Sequence, residues 1–236
     1  MTMDSPGKQG VILVGGLGTR LRSVIRDVPK PMALINGEPF LSILLKRLSK
    51  KGFNKIVLAV GYMSEVIQDY YGDTFNDIQI KYSVEKELLG TGGAIKQALS
   101  YVSSEWVFIL NGDTYLEVDY DEVIRNSFET GLPFIVGCEV ENTDRYGEIK
   151  YHKSKIKKFS EKQTSGSGII NGGVYYVQRD LLDNFDFENK FSFEQDYLAK
   201  DGNFKRFGLY ITNGKFIDIG IPEDLISAKT VLDGID

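Results

Sequence analysis

Short runs rich in Val, Ile and Phe that alternate with segments of helical period predict an α/β fold, a doubly wound, mostly parallel mixed sheet flanked by helices. Glycine-rich turns support this, because Gly15-Gly16-Leu17-Gly18 directly follows the apolar run Val11–Val14, and Asn111-Gly112-Asp113 follows Trp106–Leu110. In an open parallel sheet ligands lie at the carboxyl ends of strands. A third observation is the change of pattern after residue 133. Strands there come close together with short turns, as in antiparallel pairing, and predict a smaller lobe.

In order, Val11–Val14 is the first buried strand and Pro39–Lys51 an amphipathic helix, with Phe40, Ile43, Leu44 and Leu48 on one face and Gly52 as its stop. Ile56–Val60 is a strand, Met63–Tyr71 a helix and Ile78–Val84 a strand. Thr91–Val102 is a helix entered through Gly90-Thr91-Gly92-Gly93, Trp106–Leu110 a strand and Tyr120–Thr130 a helix. Phe134–Val140, Gly147–Tyr151, Ile156–Phe159 and Ile169–Val177 are the close-set strands. A helix over Phe193–Lys200 and strands at Phe207–Ile211 and Phe216–Ile219 lead to a last helix, Pro222–Leu232, with proline at its first turn.

A chain of 236 residues, 42% hydrophobic, can bury one substantial core. Residues 1–9 read as a flexible tail and 10–236 as a single domain. The net charge of −5 argues against a nucleic-acid surface, so any phosphate contact must be local. The single cysteine, Cys138, excludes an internal disulfide, and the single histidine, His152, leaves no partner for a zinc cluster or a His-centred triad. Met1–Gly10 is short and polar and the next apolar run is too short to span a bilayer, which predicts no membrane partner and a cytoplasmic location.

Three glycines in four positions let a backbone approach a ligand closely and turn its N–H groups inward, and Arg20 and Lys30 add charge for a polyphosphate. The loop is no Walker sequence, for no Gly-Lys-Ser/Thr follows, and it lacks the third small residue of the dinucleotide fingerprint. An ordinary strand-to-helix turn is the alternative. Lys30 lies between Pro29 and Pro31, which hold the chain extended and aim its ammonium. Asp113 suits either Mg²⁺ or a turn cap. Asp218, embedded in Phe216-Ile217-Asp218-Ile219, is costly there without a cation or partner.

Seven motifs in order carry a resemblance over the length of the chain: Gly15–Leu21, Pro29-Lys30-Pro31, Leu89–Ala94, Asn111-Gly112-Asp113, Glu161-Lys162, Asn171-Gly172-Gly173, and Asp218 before Gly220. The sequence resembles the sugar-1-phosphate nucleotidylyltransferases. The resemblance implies a Rossmann-like, glycosyltransferase-A-like sheet, with residues 10–133 mainly the nucleotide half and 134–236 mainly the sugar half. It implies that Leu13, Gly15, Gly16, Gly18, Thr19, Glu85, Gly90, Thr91 and Gly112 surround the nucleotide, that Arg20 and Lys30 hold the triphosphate, and that Asp113 and Asp218 bind magnesium. Lys162 and Glu161 then meet the sugar phosphate, with Gly147, Asn171 and Gly172, and with Glu148 and Glu194 as further candidates for sugar hydroxyls. Members are often dimers or tetramers, so a homo-oligomer is compatible. Two departures concern loop stiffness: Arg22-Ser23-Val24-Ile25 stands where members often carry Pro-x-Thr, and Gln163 where proline is common.

The implied reaction is in-line attack of a sugar-1-phosphate oxygen on the α-phosphorus of a nucleoside triphosphate. Two anions must meet, so positioning and cation screening carry the rate and no general base is needed. Glu85 lies where the family reads the base. A carboxylate only accepts hydrogen bonds, and guanine offers N1–H and a 2-amino group side by side, which predicts GTP. Glu85 in solvent, with the backbone near Gly90 reading the base, is the alternative. Val28–Ala33, Ile35–Phe40 and the chain length look most like the D-glycero-D-manno-heptose-1-phosphate guanylyltransferases. Mannose 1-phosphate, or a uridylyl or thymidylyl transfer to another sugar phosphate, is the runner-up, and a non-catalytic nucleotide-sugar sensor is the reading from outside enzymology.

Overall fold

The computed structural model describes residues 7–16, 18, 21, 28–152, 155–160, 166–186 and 189–234. The first half of the chain contains β1 (Lys8–Leu13), the hairpin β2 (Leu34–Ile35) and β3 (Glu38–Pro39), α1 (Phe40–Lys50), β4 (Phe53–Val60) and α2 (Ser64–Tyr71). It continues with β5 (Thr74–Phe75), β6 (Ile78–Val84), α3 (Gly90–Leu99), β7 (Trp106–Asn111), β8 (Thr114–Leu116) and α4 (Tyr120–Thr130). Next come β9 (Phe134–Val140), β10 (Glu148–His152), β11 (Lys155–Ser160) and β12 (Gly168–Gln178). A π-helix (Phe193–Ala199) and a 3-10 segment (Lys200–Arg206) precede β13 (Gly208–Thr212), β14 (Phe216–Asp218) and α5 (Pro222–Val231).

Ten strands form one sheet in the order β10-β11-β13-β9-β12-β7-β1-β4-β6-β5. β7, β1, β4 and β6 run parallel, and β12 joins them antiparallel to β7, with Val174 opposite Leu110 and Gln178 opposite Trp106. The expected antiparallel lobe therefore extends the main sheet instead of standing apart. β13 even runs parallel to β9.

The central parallel strands β1, β4 and β7 carry apolar runs because both faces are covered, whereas β6, nearer the edge, alternates buried and exposed residues. Val11, Val57 and Ile109 pack with Ile95 and Ala98 of α3 on one face, whereas their neighbours Ile12, Leu58 and Leu110 pack with Leu41, Leu45 and Tyr120 on the other. Phe108 anchors the second face, its ring 5.0 Å from Tyr120 and 4.4 Å from Tyr176. A third cluster of Ala33, Ile35, Phe40, Leu44, Tyr115, Ile219 and Ala228 fastens α5 and the strand before it to the β2–β3 hairpin and α1.

Several boundaries differ from expectation. β1 begins at Lys8, inside the expected tail, because its backbone continues the ladder past the apolar run: the Lys8 amide donates to the Gly52 carbonyl at 3.0 Å. In α1 the buried face is Phe40, Leu41, Leu44, Leu45 and Leu48, with Ile43 only partly buried, because helix and hairpin cover a wider stripe than one row. α3 ends at Leu99, and the segment expected as an ordinary helix from Phe193 winds as a π-helix. The β2–β3 hairpin turns on Asn36-Gly37, both at positive φ (50° and 89°), the signature of a two-residue turn.

Candidate active site

The chain enters the site at the carboxyl end of β1. The Val14 amide donates to the Ala59 carbonyl and the Gly112 amide to the Leu13 carbonyl, both at 2.9 Å, which lashes the glycine loop to β4 and β7. A Cβ on Gly15 would lie 2.5 Å from Glu85 Oε1 and 3.3 Å from the Gly61 amide nitrogen, so a side chain there must push the Glu85 carboxylate aside. Glu85 follows β6, and its Oε2 accepts the Leu89 amide at 3.1 Å. Burial pushes its carboxyl above the usual glutamate value, partly offset by that hydrogen bond.

A cavity of about 260 Å³ opens at these strand ends. Of the residues expected around a nucleotide, Leu13, Gly15, Gly16, Glu85, Gly90 and Thr91 line it, together with Lys30 and Asp113. Gly112 sits behind the wall as a backbone tie, and Gly18 packs against Lys30, its ideal Cβ position 3.1 Å from that side chain. Pro31, Ala94 and Asn111, quoted above only as parts of motifs, also line the cavity, as do Val14, Ala59 and Leu88, which had been given no site role. Leu88, an apolar side chain 46% exposed beside the base loop, and Asn111, inside the Asn-Gly-Asp turn, were the available signals. Thr19, Arg20, Glu161 and Lys162 lie outside the described residues.

Two carboxylates far apart in the chain meet here. β14 pairs antiparallel with β8, setting Asp218 opposite Thr114, and the Ile219 amide donates to the Asp113 carbonyl at 2.9 Å. Lys30 Nζ reaches Asp113 Oδ2 at 2.5 Å, its side chain only 11% exposed. Burial, then repulsion from Asp113, pushes the Asp218 carboxyl up to about 6, while Lys30 pulls the other way. One ammonium against two carboxylates leaves an excess of negative charge in a poorly solvated corner. Among the described residues no third His, Cys, Asp or Glu completes a metal cluster. A donor set of two carboxylates suits a hard cation such as Mg²⁺, which keeps waters and takes phosphate oxygens for the rest.

The residues expected to meet the sugar sit on β12, at the start of β10 and on the π-helix, and among the described residues none of them lines this cavity. A register shift between Asn171 and Val174 bulges β12, and Gly173 takes φ +69° there. The Asn171 amide donates to the Gly147 carbonyl at 2.8 Å, which places both residues side by side. Gly172 is buried, and a Cβ on it would lie 2.5 Å from Leu116. Glu148, 5% exposed, accepts from Lys150 Nζ. Glu194 accepts at Oε2 from Thr91 Oγ1 (2.7 Å) and at Oε1 from Tyr175 Oη (3.0 Å). Tyr175, fully buried, had not been singled out.

A parallel sheet with a glycine loop, a cavity at its strand ends and a paired-carboxylate corner defines a nucleotide-binding α/β protein. The family model described as nucleotidyl transferase matches residues 9–233, and the chain belongs to that family. D-glycero-alpha-D-manno-heptose 1-phosphate guanylyltransferase of Campylobacter jejuni is 43% identical over 217 residues, covering 92% of this chain and 96% of that protein. Its namesake from Aneurinibacillus thermoaerophilus is 42% identical over 229 residues, covering 95% and 98%. The crystal structure of HddC from Yersinia pseudotuberculosis complexed with GMP-PN has a TM-score of 0.84 at 40% identity, covering 94% of this chain and 98% of that one. No helix among the described residues is long and apolar enough to cross a membrane.

Proposed function

We propose that this chain transfers GMP from GTP to a sugar 1-phosphate, with D-glycero-α-D-manno-heptose 1-phosphate as the acceptor. The observation that carries this is one cavity lined both by Glu85 and by the Lys30–Asp113 pair, with Asp218 held beside it by the Ile219 amide on the Asp113 carbonyl. The identities of 43% and 42% to the two heptose 1-phosphate guanylyltransferases support the choice of sugar.

A phosphate oxygen of the acceptor attacks the α-phosphorus, the bond from that phosphorus to the bridging β-oxygen breaks, and pyrophosphate leaves with the electron pair. No proton need move, because the attacking phosphate is ionised near neutral pH. The protein's task is to hold two anions in line. Gly15 and Gly16 expose backbone to the phosphates, and Lys30 places an ammonium among them. Asp113 and Asp218 would hold a magnesium ion, which supplies charge neutralisation on the phosphate oxygens. Glu85 presents acceptors to guanine N1–H and the 2-amino group, with Oε1 against Gly15 and Oε2 steadied by the Leu89 amide. Asn171 and Gly147 are assigned to the sugar, and the family resemblance assigns Arg20 to the triphosphate and Glu161 and Lys162 to the sugar phosphate. We place the reaction in the cytoplasm, in keeping with the single, buried, unpaired thiol of Cys138.

Pyrophosphate release from GTP, ATP, UTP and dTTP, each against heptose, mannose and glucose 1-phosphates, tests the assignment. GTP with the heptose phosphate is expected to be fastest. No release from GTP with any acceptor would leave a nucleotide-sugar binder without turnover.

A further inference from the structure

The two carboxylates of the acidic corner reach it by unequal routes. Asp113 leaves the end of β7 directly, and the Gly112 amide on the Leu13 carbonyl at 2.9 Å ties it to the ten-stranded sheet. Asp218 arrives on β14, which pairs with β8 in a separate two-stranded sheet of three rungs: Phe216 opposite Leu116, Ile217 opposite Tyr115, and Asp218 opposite Thr114. A ribbon that short has little stability of its own, so its set relative to the main sheet must come from what packs on it. Arg47 of α1 supplies a polar hold. Its Nη1 donates to Tyr115 Oη at 2.5 Å and lies 3.4 Å from Glu117 Oε1, and its guanidinium carbon stands 4.9 Å from the centre of the Tyr115 ring. Glu117 closes the far end of the ribbon: its amide donates to the Lys215 carbonyl at 2.9 Å, its carbonyl accepts Thr212 Oγ1 at 2.7 Å, and its Oε2 accepts the Lys215 amide at 3.3 Å.

Stability does not explain this arginine. Its side chain is 18% exposed, its Nε is buried with no hydrogen-bond partner among the described residues, and a buried donor left unpaired is costly. An apolar side chain of the same length would fill the place between α1 and the ribbon at lower cost, because Glu117, 35% exposed, keeps water as a partner and Tyr115 Oη can still donate to Glu117. What an apolar side chain cannot do is grip the middle rung and the closed end of the ribbon together. α1 is itself fixed to the sheet through Leu41 and Leu45, so the guanidinium transmits the position of the sheet to the strand pair that delivers Asp218.

We propose that Arg47 is a positioning residue for the metal site: it sets the β8–β14 ribbon against α1 and thereby holds Asp218 beside Asp113 for a divalent cation, although its own partners are Tyr115 and Glu117. This rests on the assignment of Asp113 and Asp218 to magnesium made above. Groups that orient metal ligands from outside the coordination sphere govern affinity by about ten- to a hundredfold.

Electron paramagnetic resonance of Mn²⁺ titrated into the metal-free protein reads the site without turnover, and hydrogen exchange at single amides reads the ribbon without metal. Arg47→Met keeps the length of the side chain and removes the guanidinium. It should bind Mn²⁺ about tenfold more weakly with no fall in melting temperature. The Ile219 amide, which donates to the Asp113 carbonyl, should exchange faster in this variant while the Gly112 amide does not. Tyr115→Phe removes the oxygen that Arg47 holds and should act in the same direction, with the double variant no weaker than Arg47→Met alone; it also carries the test should Arg47→Met not fold. Arg47→Lys, which reaches one partner at a time, should recover part of the affinity. Three results overturn the inference: unchanged Mn²⁺ affinity in Arg47→Met and Tyr115→Phe, an Ile219 amide that does not respond, or faster exchange at Gly112 and Ile219 alike with a lower melting temperature. No Mn²⁺ binding by the unaltered protein, or binding that Asp218→Asn leaves intact, would instead overturn the metal assignment, and the inference with it.

Discussion

Glu85→Gln removes one charge and exchanges one acceptor for a donor at the place proposed to read the base. The Leu89 amide already donates to Oε2, at 3.1 Å. A glutamine there can turn its oxygen to Leu89 and offer guanine an NH2, donor against donor, or turn its oxygen to guanine and leave NH2 against the Leu89 amide. Either way at least one hydrogen bond to a charged group is lost, worth about 1.5–3 kcal/mol. At about 1.4 kcal/mol per tenfold, kcat/KM for GTP should fall roughly ten- to a hundredfold. UTP and dTTP, which present carbonyls flanking one N–H, should lose nothing or gain, so the ratio between bases moves more than any single rate. Burial raises the Glu85 carboxyl, so GTP affinity should drop as pH falls through the raised value and the carboxyl becomes a donor. Glu85→Gln should lack that limb. The sign for folding is the reverse: the folded carboxyl holds its proton more tightly than the unfolded one, so the free protein loses stability as pH rises through the same window. Initial rates of pyrophosphate release with GTP and UTP across pH decide the matter, and an unchanged GTP to UTP ratio in Glu85→Gln refutes the base-reading argument.

Gly15→Ala would put a methyl group 2.5 Å from Glu85 Oε1 and 3.3 Å from the Gly61 amide nitrogen, so GTP binding by calorimetry should collapse while the circular dichroism spectrum stays native. Asp218→Asn relieves a carboxyl raised to about 6 by burial and by Asp113, and should raise the melting temperature of the metal-free protein at neutral pH while abolishing both turnover and Mn²⁺ binding seen by electron paramagnetic resonance. The Cys138 thiol, buried and pushed up to about 11, should stay unreactive to a disulfide reagent until denaturant unfolds the sheet. Phe108→Ala empties the centre of the aromatic cluster with Phe53, Tyr120 and Tyr176 and should cost about 3–5 kcal/mol in urea unfolding.

The central strands were legible because burial on both faces leaves runs such as Val11–Val14 and Ile56–Val60 without polar interruption. α4 was legible end to end, from the Asp119 cap that accepts the Glu122 amide to Gly131 at φ +69°. β14 was read as the strand Phe216–Ile219, whereas β8 was harder: its three residues carry no periodicity, and its pairing depends on a partner about a hundred residues away. The β2–β3 hairpin had a readable Asn36-Gly37 turn that went unused. In the site, Lys30 and Asp113 stood out through stiff or glycine-rich neighbours and a strand end, and Glu85 through the family resemblance. The hydrogen bonds of Tyr175 and Glu194 did not, since a tyrosine inside an apolar strand looks like any core aromatic, and Thr91 and Glu194 touch across 103 positions of sequence.

Because β7 and β12 are laddered from Leu110–Val174 to Trp106–Gln178, the two halves of the molecule share one continuous hydrogen-bonded plate. Enzymes that swallow substrate by swinging one domain onto another need a hinge, and a plate of this kind offers none. Whatever shuts water out during transfer must be loop movement around a rigid floor, so crystals soaked with ligands should keep their sheet geometry while the segments above it rearrange.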